Sequence, residues 1–199
     1  MVSLLGVAGF KAAFEEFKND RNPCSKKDAR TPYQKTEDDK GEVVPGYQNV
    51  FSREQLPKLT VEKFRDFLRL SECKHWSGLH RSFPKDFGDK KKLKDAFRIL
   101  LDEDRSLAER FNGFIKLPGV GNAIASAILL ITDKHKYGVW NKTSEAGLKK
   151  LDLWPKKKCS SNGDRYEAVN KQLTDLAKRQ GCDCWTLDAV WWYVLGKKP

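Results

Sequence analysis

Leu117-Pro118-Gly119-Val120-Gly121, followed at once by the run Asn122 to Thr132 (NAIASAILLIT), is the stretch on which the fold turns. Ala123, Ile124, Ala125, Ala127, Ile128, Leu129, Leu130 and Ile131 make the second part apolar nearly all round, and such a helix belongs at the centre of a fold. Residues 106–115 read as a short helix before it, broken by Pro118 and the two glycines. Glycine permits positive φ and lets a backbone approach a ligand closely. The second helix starts immediately, so its free N–H groups point outward, and phosphate is the natural anion for them. An ordinary corner between two helices has the same outline. The preceding Leu-Pro, the apolar helix beyond and the basic chain favour phosphate.

Working outward, the apolar spacing predicts helices on both sides. Leu4, Leu5, Ala8, Ala12 and Phe17 place one over residues 3–18. Thr60 reads as an N-cap, with Val61, Phe64, Phe67 and Leu68 forming one face behind it. Leu93, Ala96, Phe97, Leu100 and Leu101 mark another helix, and Lys142 to Leu151, Asp164 to Gln180 and Thr186 to Leu195 supply three more. Residues 19–58 are polar and hold Pro23, Pro32, Gly41, Pro45 and Gly46, which predicts a long irregular segment, extended over Glu42 to Val50. No repeat and no run of alternating strands stands out, so the expected class is all-α, one unit spanning 1–199.

Composition narrows the partners. The 199 residues carry a net charge of +11, which suits a polyanion. The runs Lys90-Lys91-Lys92 and Lys156-Lys157-Lys158 read as solvated turns. No stretch approaches the roughly 20 apolar residues of a membrane span. Five cysteines at irregular spacing (24, 73, 159, 182, 184) argue against a disulfide framework and for a reducing cytoplasm. They offer no paired zinc motif and no iron–sulfur set.

With the hairpin and the residues after it, the segment from Phe111 to about Leu151 resembles the helix-hairpin-helix DNA glycosylases. The resemblance implies two helical lobes around a cleft, a helix-hairpin-helix over 105–133, and duplex DNA as partner, with a target base flipped into the cleft. It implies that the amides of Gly119, Gly121 and Ala123 face phosphate oxygens. It implies also that the carbonyls of Ile115, Leu117 and Val120 hold a monovalent cation, Na+ or K+, with no organic cofactor. Bifunctional members carry a lysine nucleophile two residues after the second hairpin glycine. Here that position is Ala123, so no Schiff-base lyase activity is expected.

The family aspartate that follows the next helix aligns with Asn141, in Tyr137-Gly138-Val139-Trp140-Asn141. Asparagine is neutral and is no general base, but its amide oxygen can position a water. Three readings stand side by side. Asn141 is native and orients water, or a carboxylate comes from Glu145 or Asp188, or the site has lost its chemistry. For Glu145 a first-turn helix charge is an equal reading, and for Asp188 a helix-start residue is.

Four further stretches are similar to a group of bacterial glycosylase-like proteins: His75 to Arg81 (HWSGLHR), Tyr137 to Glu145, Leu148 to Pro155 and Trp185 to Trp192. That wider resemblance favours a native Asn141 and extends to a phage-defence glycosylase that excises glucosylated cytosine. His75, Trp76, His80, Arg81 and Trp140 are the candidate base-pocket residues, because a flipped base needs flat partners and polar edges. Core packing is the stronger reading for Trp76 and for the Trp185, Trp191, Trp192 and Tyr193 cluster. The expectation is a monomeric, cytoplasmic, monofunctional DNA glycosylase, nucleoid-associated in a bacterium. The alternative is a DNA-binding module that keeps the hairpin without the chemistry.

Overall fold

The computed structural model describes residues 6–195, with side chains from residue 9 onward. Leu4 and Leu5 therefore lie outside the described residues. Ten α-helices form the described chain, with no strand among them. They are α1 (Gly6–Asn19), α2 (Pro32–Val50), α3 (Val61–Phe67), α4 (Leu70–Cys73), α5 (Lys90–Leu100), α6 (Leu107–Phe114), α7 (Asn122–Thr132), α8 (Lys142–Lys150), α9 (Asn162–Gln180) and α10 (Cys184–Val194). No helix among the described residues is long and apolar enough to cross a membrane.

The sequence marks most of these boundaries chemically. Thr60, Asp89, Ser106, Asn141, Ser161 and Asp183 each accept a backbone N–H at a helix start. Gly181 closes α9 in the left-handed conformation, φ 66°. The burial register of α1 is Phe10, Ala13, Phe14 and Phe17, so Ala12 faces solvent.

The irregular segment expected over 19–58 is largely a helix. Thr31 and Gln34 form a reciprocal capping box, Pro32 sits at the first helical position, and α2 then runs 19 residues through Pro45. The expected extended piece over Glu42 to Val50 is its C-terminal half. Pro32, Thr36, Asp39 and Val43 are buried at helical spacing, but two of the four are polar, which hid the period. Thr36 returns its hydroxyl to the Pro32 carbonyl, and Asp39 pairs with Lys35 and Arg30.

Two apolar helices lie at the centre. Residues 124–131 of α7 and 184–191 of α10 are all buried. α7 packs against α2 and α6, while α10 touches α1, α2, α8 and α9. A third contact, α6 on α9, is close because Gly163 offers no side chain. A Cβ there would lie 2.1 Å from the Ala108 carbonyl oxygen and 2.6 Å from Asn112 Nδ2. Asn112 bridges the same joint, accepting from the Gly163 amide at 2.8 Å and donating to Ser161 at 2.9 Å. Gly163→Ala must push two helices apart, at about 2–3 kcal/mol. Thermal unfolding is expected to fall by roughly 4–10 °C for a chain of this size. An unchanged midpoint would show that α6 and α9 separate freely.

Candidate active site

The loop from Lys136 to Asn141 carries the decisive residues, and three polar side chains hold it. Asn170 accepts from the Gly138 amide at 2.7 Å and donates to the Lys136 carbonyl at 3.0 Å. The Tyr166 hydroxyl donates to the Gly138 carbonyl at 3.0 Å. Ser126 lies within the apolar run of α7. Its hydroxyl accepts from the Trp140 amide at 2.9 Å and donates to the Asn122 carbonyl at 2.6 Å. The residue before Asn141 is thereby tied to α7, the helix that follows the turn at 117–121. Ser126, Asn170 and Tyr166 were not singled out from sequence. A lone hydroxyl in an otherwise apolar helix was the available signal for Ser126.

Asn141 is the N-cap of α8. Its Oδ1 accepts from the amides of Thr143 and Ser144, both at 2.8 Å, and Ser144 Oγ accepts from the Asn141 amide at 3.0 Å. Two backbone donors fix which end of the side-chain amide is oxygen. The oxygen expected to orient water is thus engaged by the helix, and Nδ2 is the free end. It donates to Asp188 Oδ1 at 3.4 Å. Asn141 is half-buried and its second N–H has no partner among the described residues.

Asp188 gathers the other predicted residues. It lies inside α10, whose cap is Asp183, so it is not a helix-start residue. Only 2 % of it is exposed. Trp76 Nε1 donates to its Oδ2 at 2.9 Å. His75 Nε2 stands 3.1 Å from the same oxygen, at an angle too bent for a hydrogen bond. The His75 ring stacks on Trp185, centroids 4.4 Å apart, and meets Trp76 edge-on. One buried carboxylate thus joins α10, the segment after α4 and the cap of α8.

The remaining predicted residues fall elsewhere. Trp76 and Trp140 are both buried. Trp76 packs edge-on against Phe67 and Trp185, and Trp140 stacks on Phe111 at 6.3 Å. Glu145 belongs to the first turn of α8 and turns to Lys149 Nζ (2.6 Å) and Trp140 Nε1 (3.4 Å). The hydrogen bond from Lys149 holds its carboxyl below the usual range, so it is ionised at neutral pH and is no general acid. His80 and Arg81 are exposed on a single 3-10 turn, Leu79–Arg81, outside the Asp188 cluster.

That turn leads into the hairpin. Ser82 Oγ donates to the Gly119 carbonyl at 2.9 Å. Gly119 has φ 74°, and a Cβ there would lie 2.1 Å from the Ser82 carbonyl oxygen and 2.8 Å from Phe83 Cα. Its close approach is therefore to protein backbone. Gly121 differs: it is exposed, extended (φ −105°, ψ −174°) and faces open space. No side chain caps α7, so the amides of Asn122, Ala123 and Ile124 have no partner among the described residues, and Lys116, just before the turn in sequence, is exposed. The side chains of Leu117 and Val120 are buried. The carbonyls of Ile115 and Val120 accept no hydrogen bond among the described residues, and that of Leu117 accepts one, from the Val120 amide. Main-chain oxygens of this kind suit an alkali cation in donor type.

A cavity of about 780 Å³ lies away from these groups, between Tyr33, Glu37, Lys40 and the Cys182–Asp183 turn. A smaller one of about 70 Å³ touches His75, Lys74, Ser77, Leu70 and Ala189. Among the described residues no cluster of His, Cys, Asp and Glu could hold a metal ion. No protein family model, curated protein or solved structure matches the chain.

Proposed function

We propose that the chain is a monofunctional DNA glycosylase that binds duplex DNA through the turn at 117–121 and acts at Asn141 and Asp188. The observation that carries this reading is the juxtaposition made by Ser126. It ties the uncapped start of α7 to the Asn141 loop, whose amide reaches a buried carboxylate. On this reading the α7 amides and Lys116 hold a phosphate, with a monovalent cation on the hairpin carbonyls neutralising its charge when bound. Asp188 supplies negative charge close to the sugar, where positive charge develops as the glycosidic bond lengthens. Asn141 acts as a donor: its free N–H meets an acceptor atom of the departing base. Water completes the substitution at C1′ and leaves an abasic site, since Ala123 offers no amine.

A binding module without chemistry is the second reading. It is favoured by one feature: Asp188 and the Asn141 oxygen are already well supplied with donors, as in a purely structural polar cluster.

Cleavage of end-labelled duplexes separates the two. The panel holds uracil, oxidised and alkylated purines, mismatches, and hydroxymethyl- and glucosyl-hydroxymethylcytosine, each opened with hot alkali. Alkali-dependent breaks on one substrate, lost in Asn141→Ala, are expected. Loss of the cap also costs about 1 kcal/mol, a fall of roughly 2–4 °C, so the assay is run well below the midpoint. Asn141→Asp keeps the cap but sets two carboxylates together. The like charges repel, so the variant is expected to melt below wild type at neutral pH. Duplex binding with no breaks across the panel, and an unaltered affinity in Asn141→Ala, would instead support the binding module.

A further inference from the structure

The second lysine run read as a solvated turn, but the structure places it on a braced surface. Trp154 is partly buried and tilts against Trp140, centroids 6.3 Å apart, so it neighbours the Asn141 loop. Two cations flank its ring: Lys149 Nζ at 5.2 Å and Arg165 Cζ at 5.8 Å from the centroid. Arg165 also donates to the Pro155 carbonyl at 2.6 Å, which fixes the chain just before Lys156. Asp152, in the left-handed conformation at φ 55°, turns the chain out of α8 and pairs with Lys156 at 3.0 Å. Seven cations and three carboxylates fall between residues 142 and 165, a net +4 within a chain of net +11. Lys142, Lys150, Lys157 and Lys158 are exposed and have no carboxylate partner among the described residues.

We infer that this patch, Lys142, Lys149, Lys150 and Lys156 to Lys158 around Trp154, is a second contact for the phosphate backbone of duplex DNA. The Trp154 ring neighbours Trp140, the residue before Asn141. The inference rests on the DNA-binding reading and extends its footprint. Duplex is favoured over single strand by the state of Trp154. A base stacks on a free aromatic face, whereas this ring already carries two cations and packs on Trp140. The ring's work is to hold charge in place at the spacing a backbone presents.

The test is the salt dependence of binding to a plain 20-base-pair duplex, read by fluorescence anisotropy, with Lys156, Lys157 and Lys158 all changed to alanine. Each phosphate contact contributes about 0.9 to the slope of log K against log salt. The triple variant is expected to lower that slope by roughly 2–3 and to keep the wild-type melting temperature, since the three side chains are exposed. The control removes equal charge from the exposed loop after α1, at Arg21, Lys26 and Lys27. It is expected to change the slope by less than about 1. Equal effects from the two triples, or none from either, would overturn the patch while leaving DNA binding standing. A slope change confined to single-stranded DNA would overturn the duplex assignment. A wild-type protein that binds no duplex at all would overturn both this inference and the function on which it rests.

Discussion

Asp188→Ala is expected to lower the unfolding midpoint by roughly 6–12 °C and, under the proposed function, to abolish excision, whereas Asp188→Asn is expected to keep most of the stability and to lose the proposed chemistry alone. The alanine strands one buried donor, Trp76 Nε1, and one half-buried donor, Asn141 Nδ2, and empties a position that is 2 % exposed. An unsatisfied buried donor costs about 1–3 kcal/mol, so about 3 kcal/mol for the pair is a moderate expectation. Asparagine is isosteric and its oxygen still accepts from Trp76. Its amide nitrogen then faces the Asn141 amide, donor against donor, for about 1 kcal/mol. What asparagine cannot restore is negative charge. If that charge stabilises a cationic sugar, excision falls on the order of 10²–10³-fold at a temperature where the variant is folded. Circular dichroism melts and the alkali assay, run on the same preparations, separate the two effects. A fully active Asp188→Asn would reduce Asp188 to a tie between α10, the segment after α4 and the α8 cap.

The second large effect distinguishes the two hairpin glycines. Gly119→Ala is expected to cost about 3–4 kcal/mol, roughly 10 °C. About 1–2 kcal/mol comes from an L-residue at φ 74° and the rest from a Cβ driven into the Ser82 carbonyl. Gly121→Ala meets neither obstacle, because its backbone is extended and its surroundings are open. Its midpoint is expected to stay within about 2 °C, an effect of a few tenths of a kcal/mol. Under the proposed function its duplex affinity is nevertheless expected to fall about tenfold, because the new methyl would occupy space that a phosphate on the α7 amides needs. Equal affinities for Gly121→Ala and wild type would remove the phosphate from that turn. A Gly119→Ala protein with a wild-type melt would mean that the turn and the Ser82–Pro84 segment part without cost.

The sequence disclosed the helices whose buried faces are apolar and concealed the one whose buried face is not. α7 declared itself through eight apolar residues in eleven, and Thr60 and Ser106 announced helix starts as hydroxyls with a backbone donor three residues on. α2 was hidden because Thr36 and Asp39 occupy half of its first four buried positions, while Gly41, Pro45 and Gly46 read as breakers. Its capping box, Thr31 with Gln34, was a local signal that outranked them. At the site, Asn141 and Asp188 were both named, but their contact spans 47 positions and follows from how α8 and α10 pack. His75 and Trp76 were both base-pocket candidates, with core packing the stronger reading for Trp76. The fold uses one as a stacked neighbour of Trp185 and the other as a buried donor. Side-chain type told which residues carry chemistry, and only packing told which direction each one faces.

The hydroxyl of Ser126 acts as a dowel between two working parts. The turn that would seize a backbone and the loop that would meet a base are pinned to the same stretch of α7, Asn122 to Ser126, so neither slides without the other. Under the proposed function, reach is then a property of the protein and not of the DNA. The nucleotide presented to Asn141 stands at one constant offset along the strand from the phosphate that is held, whatever the sequence between them. Such a device measures as it grips. It would scan a duplex in single-nucleotide increments, interrogating one position per registration, and a lesion one step out of frame would go untouched until the whole molecule moved.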